Sequence, residues 1–198
     1  MRSICTTIAA AALLAAPALA SAQNLVQNGG FESLDPLAFG FTESPNATRC
    51  TEAAHSGMYG MCLISAPGSQ YNDTYIFQKL TTVPGMTYQL DFWAGTRRLF
   101  FGGGAAEVYW GGVLVGSTPF AGTTPFALST FVLTAASTST VLEFVNHTIG
   151  CDGPTCDDVG AILHLDDISV TAAPEPATLA LTLGGLAVLG AGVRRRRA

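Results

Sequence analysis

Basic residues are scarce in the middle of this chain, and their scarcity excludes one class of partner. Only 9 of the 198 residues are Lys or Arg, against 14 Asp and Glu. Arg2 and the arginines at 194–197 lie at the two ends, so residues 23–173 hold four basic and thirteen acidic side chains. A segment with a net charge of about −9 cannot neutralise phosphate groups. We therefore expect no nucleic-acid partner.

Catalytic motifs are missing as well. The sequence contains no Gly-x-Ser-x-Gly, no His-Glu-x-x-His and no phosphate-binding glycine loop. Its three histidines, His55, His147 and His164, stand singly. A carboxylate pair for glycoside cleavage has no fixed spacing in sequence, and nothing singles out such a pair here. The sequence thus predicts a protein that is not an enzyme.

A sustained helical period is absent between the two ends, and short β-rich runs separated by Gly, Pro, Asn or Ser take its place. In one run Tyr88, Leu90 and Phe92 alternate with polar residues, which predicts one buried and one outer strand face. The predicted strands are 58–64, 74–82, 87–95, 105–110, 113–116, 127–134, 140–146 and 161–171. Strands without helices predict an all-β, two-sheet β-sandwich. The alternation leaves jelly-roll and immunoglobulin-like strand orders open.

The N-terminus predicts a cleaved secretory signal peptide over residues 1–22. Arg2 precedes an apolar run at 8–19, and Ala-Ser-Ala at 20–22 forms a small-x-small cleavage site. The apolar run is too short to cross the roughly 30 Å of hydrocarbon in a bilayer. We expect an exported protein whose mature chain begins at Gln23.

A second charge-free apolar run, residues 177–193, lies near the C-terminus. As a helix with a rise of about 1.5 Å per residue, it is barely long enough to span a bilayer. Arg194, Arg195, Arg196 and Arg197 follow directly, and such a cluster stays on the cytoplasmic side. The sequence predicts a single C-terminal transmembrane helix, with the middle of the chain outside the cytoplasm.

Four cysteines remain after Cys5 leaves with the signal peptide, and an even number is typical of disulfides in an exported domain. Cys50, Cys62, Cys151 and Cys156 allow three pairings. Proximity in sequence favours Cys50–Cys62 and Cys151–Cys156, each of which closes a short loop. A metal site is the alternative, although the spacings differ from those of zinc ribbons.

The C-terminal residues 172–198 resemble a known sorting signal. Pro174, Glu175 and Pro176, then the apolar run, then the arginine cluster are similar in kind and order to the PEP-CTERM sorting signal of Gram-negative bacteria. The resemblance implies recognition by an exosortase, a membrane cysteine transpeptidase, and removal of the tail near Pro-Glu-Pro. It also implies a connection with exopolysaccharide production and biofilm. An ordinary membrane anchor is the alternative.

Four blocks of the exported segment resemble galactose-binding-like jelly rolls, which include several carbohydrate-binding modules. The blocks are 24–32 (NLVQNGGFE), 55–57 (HSG), 84–93 (PGMTYQLDFW) and 165–168 (LDDI). The resemblance implies a jelly-roll domain over residues 23–171. It implies a non-catalytic protein of the envelope or extracellular matrix that binds polysaccharide. A structural or adhesive biofilm-matrix role without a sugar ligand is the alternative.

The same resemblance implies one structural calcium ion where the first and last strands lie together. Calcium takes roughly six to eight oxygen ligands. Carried over by position, Glu32 and Asp166 supply carboxylates, and backbone oxygens near Gly30 and Ser56 add to them. Because neighbouring residues of a strand point to opposite faces, only one of Asp166 and Asp167 needs to bind. Solvated edge carboxylates are the alternative.

A sugar-binding surface needs exposed aromatic rings, which stack on pyranose faces, beside polar groups that fix orientation. Trp93 shares a predicted strand face with Asp91, and Tyr109 alternates with Trp110, which we expect to be buried. The predicted ligand-binding residues are Asp91, Trp93, Arg97, Arg98, Phe100, Phe101 and Tyr109. The alternative is that the sandwich buries Trp93 and that the loop aromatics pack on the end of a sheet.

Overall fold

The computed structural model of the protein describes residues 23–35, 38–64, 73–98, 103–120, 122–149 and 161–173. One compact unit spans Ala22–Ala173. Within the described ranges, no helix is long and apolar enough to cross a membrane. The predicted signal peptide and the predicted C-terminal apolar helix lie outside the described residues.

The described residues form ten strands. They are β1 Thr42–Glu43, β2 Ala47–Cys50, β3 Gly60–Ile64, β4 Thr74–Thr81, β5 Thr87–Arg98, β6 Gly103–Trp110, β7 Val113–Phe120, β8 Thr124–Thr134, β9 Ser139–Ile149 and β10 Ala161–Ala172. Sheet A has the order β1-β4-β9-β6-β7, and sheet B has the order β2-β3-β10-β5-β8. All neighbouring strands are antiparallel. The prediction of an all-β, two-sheet jelly-roll sandwich is confirmed.

The alternation along β5 places one face in the core and the other outside. Tyr88, Leu90 and Phe92 are buried between the sheets, as the sequence predicts. Asp91 and Trp93 lie on the outer face of sheet B and are half-buried. The period of two that identified this strand therefore also assigned its faces correctly.

Large side chains from both sheets fill the space between them. Ile76, Leu142 and Phe144 of sheet A belong to the same core cluster as Leu90 and Val170 of sheet B, and each is at most 1% exposed. Burying a side chain of this kind contributes about 1.5–3 kcal/mol to the free energy of unfolding. This shared core joins the two sheets.

The segment before β1 is attached to β10. The Leu25 N–H donates to the Val170 carbonyl oxygen at 2.8 Å, and the Ile168 N–H donates to the Gly29 carbonyl oxygen at 2.9 Å. A Cβ at Gly29 would lie 1.9 Å from the Ile168 oxygen, so only glycine allows this approach. The attachment places Glu32, three residues after Gly29, beside the loop between β2 and β3.

Two turns between strands contain glycines with positive φ. Gly111 and Gly112 have φ values of 60° and 81° and join β6 to β7. Positive φ at both central residues is what a type I′ hairpin turn requires. Gly85, after Pro84, has a φ of 80° between β4 and β5.

Strands β7 and β8 extend beyond their predicted bounds of 113–116 and 127–134. Each contains a proline, Pro119 or Pro125, and proline in a sequence pattern favours the end of a strand. Both strands lie at sheet edges, where a proline facing the open side removes no ladder hydrogen bond. The sequence does not predict β1 and β2, because two and four residues are too few to show a period.

The predicted disulfide between Cys50 and Cys62 is confirmed, with the two Cα atoms 5.9 Å apart. It holds the loop 51–59, which connects β2 to β3, against the outer face of sheet B. Ala53 of this loop is fully buried beside Cys62 and Ile162. Cys151 and Cys156 lie outside the described residues, so their pairing stays a prediction.

Candidate functional site

Aromatic residues lie on the outer face of sheet A, on strands β4 and β6, with β9 between them. Phe77 of β4 pairs with Glu143 of β9, and Glu143 pairs with Tyr109 of β6. Since neighbouring strands are about 4.8 Å apart, the two aromatic residues are roughly 10 Å apart, with the carboxylate residue between them. All three side chains are half-buried. They form a row that crosses three strands.

A second row lies beside the first on the same face. Tyr75 pairs with Val145, which pairs with Glu107. The rings of Tyr75 and Phe77 have centroids 6.3 Å apart and planes 27° apart. The name sheet A face is used below for Tyr75, Phe77, Glu107, Tyr109 and Glu143.

Hydrogen bonding and charge fix the state of the tyrosine in this face. The Tyr109 hydroxyl donates a hydrogen bond to Glu107 Oε2 at 2.7 Å. This bond, with burial and the negative charges of Glu107, Glu143 and Asp73, raises the pKa of Tyr109 to about 12. Burial raises the pKa of the Glu143 carboxyl above its usual value of 4.5. At neutral pH Tyr109 is therefore a protonated hydrogen-bond donor whose ring is held in one orientation.

The rim of the sheet A face carries one histidine–aspartate pair. His147 Nδ1 lies 2.9 Å from Asp73 Oδ1, and the two side chains are 45% and 44% exposed. Lys79, two residues beyond Phe77 on β4, is exposed on the same side of the sheet. Among the described residues on this side of the sheet, the carboxylates of Asp73, Glu107 and Glu143 therefore outnumber the single lysine.

The sheet A face has the chemistry needed to hold a sugar ring. Half-buried aromatic rings offer a face to the apolar side of a pyranose, and carboxylate oxygens accept hydrogen bonds from its hydroxyl groups. Sequence reasoning named only Tyr109 among these residues. On β4 both alternating sets are largely apolar or aromatic, which resembles a strand buried on both faces. The partners Phe77 and Glu143 are brought together only by strand pairing.

The structure does not bring Tyr109 together with the other predicted ligand-binding residues. Asp91 and Trp93 lie on the outer face of sheet B, whereas Tyr109 lies on the outer face of sheet A, on the opposite side of the sandwich. The reason is that β5 and β6, although consecutive in the chain, belong to different sheets. Phe100, Phe101 and the side chain of Arg98 lie outside the described residues.

Trp93 is covered by another side chain of the domain. The His55 imidazole stacks on the Trp93 indole, with ring centroids 3.8 Å apart and planes 13° apart. Phe126 meets the same imidazole edge-on, at 5.7 Å and 61°. One face of the indole, which sequence reasoning assigned to a sugar, is thus occupied by a residue of the loop 51–59.

The polar residues near Trp93 also have partners within the domain. Arg97 forms an ion pair with Glu52 at 2.5 Å. Asp91 accepts hydrogen bonds from Gln89 Nε2 at 2.7 Å and from Thr130 Oγ1 at 2.6 Å. The polar groups around Trp93 are therefore engaged within the domain.

The residues predicted to bind calcium meet at the loop 51–59. Glu32 Oε1 accepts hydrogen bonds from the Met58 N–H at 2.7 Å and the Tyr59 N–H at 2.8 Å. Gly57 has a φ of 65°, and a Cβ there would lie 2.4 Å from Glu32 Oε1. The carboxylate of Glu32 therefore holds one end of this loop through its backbone.

Asp166 is fully buried and holds the same loop from β10. Its Oδ2 accepts hydrogen bonds from the N–H groups of His55 at 2.7 Å and Ser56 at 2.9 Å, and its Oδ1 accepts one from the Asp167 N–H at 2.7 Å. Burial raises the pKa of the Asp166 carboxyl, and these three hydrogen bonds oppose the rise. These three N–H groups therefore compensate the negative charge of the buried Asp166 carboxylate.

Asp167 joins the network because β10 is irregular at this point. The pairing of β10 with β5 shifts register between Asp166 and Ser169, and Asp167 has a φ of 50°. The Asp167 carboxylate lies 2.7 Å from His55 Nδ1 and accepts a 2.7 Å hydrogen bond from Ser56 Oγ. A β-bulge thus turns both acids towards one loop. The predicted placement of Asp166 and Asp167 on opposite faces is wrong.

The donors around these carboxylates do not fit a calcium ion. Glu32 and Asp166 direct oxygens at backbone N–H groups, whereas calcium needs several oxygens directed at itself. Gly30 borders the network, since a Cβ there would lie 3.9 Å from Asp166 Oδ1. In the part of the chain that the structure describes, no group of three or more His, Cys, Asp or Glu side chains is arranged to hold a metal ion. The structure does not test the predicted calcium ion, and because these residues do not fit it we expect the loop to be held without one.

The C-terminal tail matches a protein family. Residues 172–197 match the family described as the PEP-CTERM protein-sorting motif, so the predicted sorting signal is confirmed. A comparison with curated proteins found no match. The tail therefore marks an exported protein that is processed at a membrane.

Several solved structures are similar to this chain at low sequence identity. TmCBM61 in complex with beta-1,4-galactotriose is 17% identical over 76% of this chain and 99% of that chain, with a TM-score of 0.49. The carbohydrate-binding module CBM36 in complex with calcium and xylotriose is 17% identical over 65% of this chain and 98% of that chain, with a TM-score of 0.39. The enzymatically active domain of tailspike protein 4 of bacteriophage CBA120 is 16% identical over 76% of this chain and 21% of that chain, with a TM-score of 0.49.

Proposed function

We propose that this exported protein is not an enzyme and that its β-sandwich binds polysaccharide through the sheet A face. In this role it belongs to the cell envelope or the extracellular matrix, with exopolysaccharide as its partner and the biofilm as its setting. The sorting motif at 172–197 supports the location, because it marks a protein that leaves the cytoplasm.

The row of Phe77, Glu143 and Tyr109 carries the proposal. Two half-buried aromatic residues lie on either side of one carboxylate residue, in register across three strands. Rings about 10 Å apart on a sheet contact more than one unit of an extended sugar chain. Each ring stacks on a sugar face, while the carboxylate accepts hydroxyl hydrogen bonds between them. The spacing favours a polymer over a free monosaccharide.

Charge narrows the class of polymer. Glu107, Glu143 and Asp73 on this side of the sheet outnumber Lys79, and residues 23–173 are acidic as a whole. Like charges lower the local concentration of an anionic ligand and slow its association. We therefore expect a neutral polysaccharide to bind better than one rich in uronic acids or sulfate.

The experiment compares variants of residues 23–173, which contain the whole core, for retention on the cell's own exopolysaccharide. Tyr109→Ala and Phe77→Ala should each weaken binding about threefold to tenfold, because a stacked ring contributes roughly 0.5–1.5 kcal/mol. Trp93→Ala is the matched control, since it removes an aromatic ring from the other sheet.

The outcomes separate the two faces of the sandwich. Equal retention of both sheet A variants and the unchanged domain would reject this site. Loss of retention in Trp93→Ala alone would transfer the site to the outer face of sheet B, where the predicted residues Asp91 and Trp93 lie. Absence of retention by the unchanged domain on any polysaccharide would leave a structural or adhesive role.

We extend the proposal to the processing of the chain. The apolar run at 177–193 inserts into the inner membrane as a helix, and Arg194–197 remain on the cytoplasmic side. An exosortase-type transpeptidase then cleaves near Pro174, Glu175 and Pro176. The motif match to residues 172–197 supports this order of events. The membrane anchor is in this view temporary.

A further inference from the structure

The edge strands β7 and β8 lie on the same side of the sandwich and differ from the rest of the domain in charge. β7 ends sheet A and β8 ends sheet B. They are packed together, since a Cβ at Gly116 of β7 would lie 2.6 Å from the Phe131 ring of β8. From Val108 to Leu142 the sequence has no Asp, Glu, Lys, Arg or His. The edge of an acidic domain is thus uncharged.

Exposed apolar side chains concentrate on this edge. Among the described residues, the large hydrophobic side chains that are exposed include Val113 and Leu114 on β7 and Leu128 and Val132 on β8. Leu128 is 53% exposed and Val132 is 68% exposed. Both point outwards from sheet B, on either side of Thr130. Such a surface is costly in water unless another surface covers it.

Edge strands are normally protected against pairing with other chains. Charged residues, prolines, bulges and short length are the usual means. β8 is 11 residues long and has no charge, and both its proline, Pro125, and its register shift against β5 lie within its first four residues. β7 is shorter, with 8 residues, and carries Pro119 near its end. Of the two edges, β8 is therefore the better template for another strand.

The sequence of β8 is complementary to itself. If two antiparallel copies are centred on Thr130, each Leu128 faces the Val132 of the other copy, and the two Thr130 residues face each other. Two copies of an acidic domain repel each other over most of their surface. The uncharged edge is the place where they can approach most closely. The self-complementary sequence of β8 and its lack of charge both indicate a second copy of this chain as the partner of this edge.

We propose that β8 pairs antiparallel with β8 of a second copy of this chain, about a two-fold axis at Thr130. The pairing joins the two five-stranded B sheets into one continuous sheet and covers Leu128 and Val132. Such an interface is isologous and closes at the dimer. It leaves the outer faces of both A sheets open, and it rests on residues other than those of the sheet A face.

Sedimentation of residues 23–173 over a range of concentrations tests the proposal. The unchanged domain should form a dimer. Leu128→Asp and Val132→Lys should each weaken the dimer at least tenfold, because each places a charge against an apolar residue of the other copy. The double variant Leu128→Asp/Val132→Lys should recover dimerisation, since in this register the two new charges face each other twice.

Leu34→Lys is the matched control, because Leu34 is 71% exposed and follows Ser33, whose carbonyl oxygen accepts a hydrogen bond from Arg49 of β2 at the opposite edge of sheet B. It should dimerise like the unchanged domain, and thermal melting should show that all variants fold. A domain that stays monomeric up to about millimolar concentration would overturn the proposal. So would a dimer that both single charges leave intact, or a double variant that is weaker than either single one.

Discussion

The imidazole of His55 lies flat on the indole of Trp93, with centroids 3.8 Å apart. This contact is the point at which the loop 51–59 rests on sheet B. Two other interactions hold the loop in place. One is the disulfide between Cys50 and Cys62, and the other is the set of hydrogen bonds that Asp166 accepts from the backbone of the loop. The environment of Trp93 therefore reports whether the loop is in place.

Removing the imidazole should uncover the indole. We expect His55→Ala to lower the free energy of unfolding by about 0.5–1.5 kcal/mol, the range for a stacked ring pair. Trp93 fluorescence should shift to longer wavelength as water reaches the ring, while buried Trp110 contributes a constant background. His147→Ala, which removes a ring from the rim of the other sheet, should leave the emission unchanged. An unshifted spectrum in His55→Ala would show that the loop does not depend on this contact.

The Asp166 carboxylate should be essential to the fold without any metal. Asp166→Ala leaves three N–H groups without their acceptor, and we expect it to lower the free energy of unfolding by about 3 kcal/mol or more. Asp73→Ala, which breaks an exposed pair with His147, should cost at most about 1 kcal/mol. Chemical denaturation of the three proteins measures both values.

The unchanged protein and the Asp166→Ala variant also test whether calcium binds. Since N–H groups already compensate Glu32 and Asp166, we expect a chelator to leave the melting temperature unchanged. A drop on chelation that calcium reverses, and that Asp166→Ala removes, would instead establish the predicted ion.

Stability should depend on pH through His164. This side chain is 8% exposed, and burial lowers its pKa below the usual 6.5. The folded state therefore binds the proton less well than the unfolded state, so stability is complete above about pH 6.5 and falls as the pH decreases. His164→Leu should reduce this slope when unfolding free energies are compared between pH 7.5 and pH 5. The carboxyls whose pKa values are raised, such as Glu143 and Asp166, are present in both proteins, so the difference between the slopes isolates His164. Equal slopes would contradict the prediction.

The mature protein should lack its C-terminal residues. If an exosortase-type enzyme cleaves near Pro174–Pro176, intact mass analysis of protein from the cell surface should find neither the apolar run nor Arg194–197. Replacing Glu175 by Ala should leave the full tail attached, whereas Ala198→Ser, outside the matched residues 172–197, should have no effect. A mature product that keeps the arginines would identify the tail as a permanent anchor.

Local patterns in the sequence were sufficient to predict the fold class of the protein and its export. The alternation of Tyr88, Leu90 and Phe92 places them in the core because side chains along a strand point to opposite faces in turn. The pairing of Cys50 with Cys62 follows from the short loop between them. The sorting motif at 172–197 is contiguous, so no folding is needed to recognise it.

Long-range pairing decided what the sequence by itself left open. An alternating pattern assigns a residue to the inner or outer face but does not say which sheet its strand joins, so Tyr109 and Trp93 lie on opposite sides of the sandwich. The row of Phe77, Glu143 and Tyr109 exists only through the register of three strands distant in sequence. Likewise, a bulge after Asp166 has no signature in composition, yet it turns neighbouring acids to one loop. Composition and period are properties of segments, whereas a binding face is a property of how the segments pair.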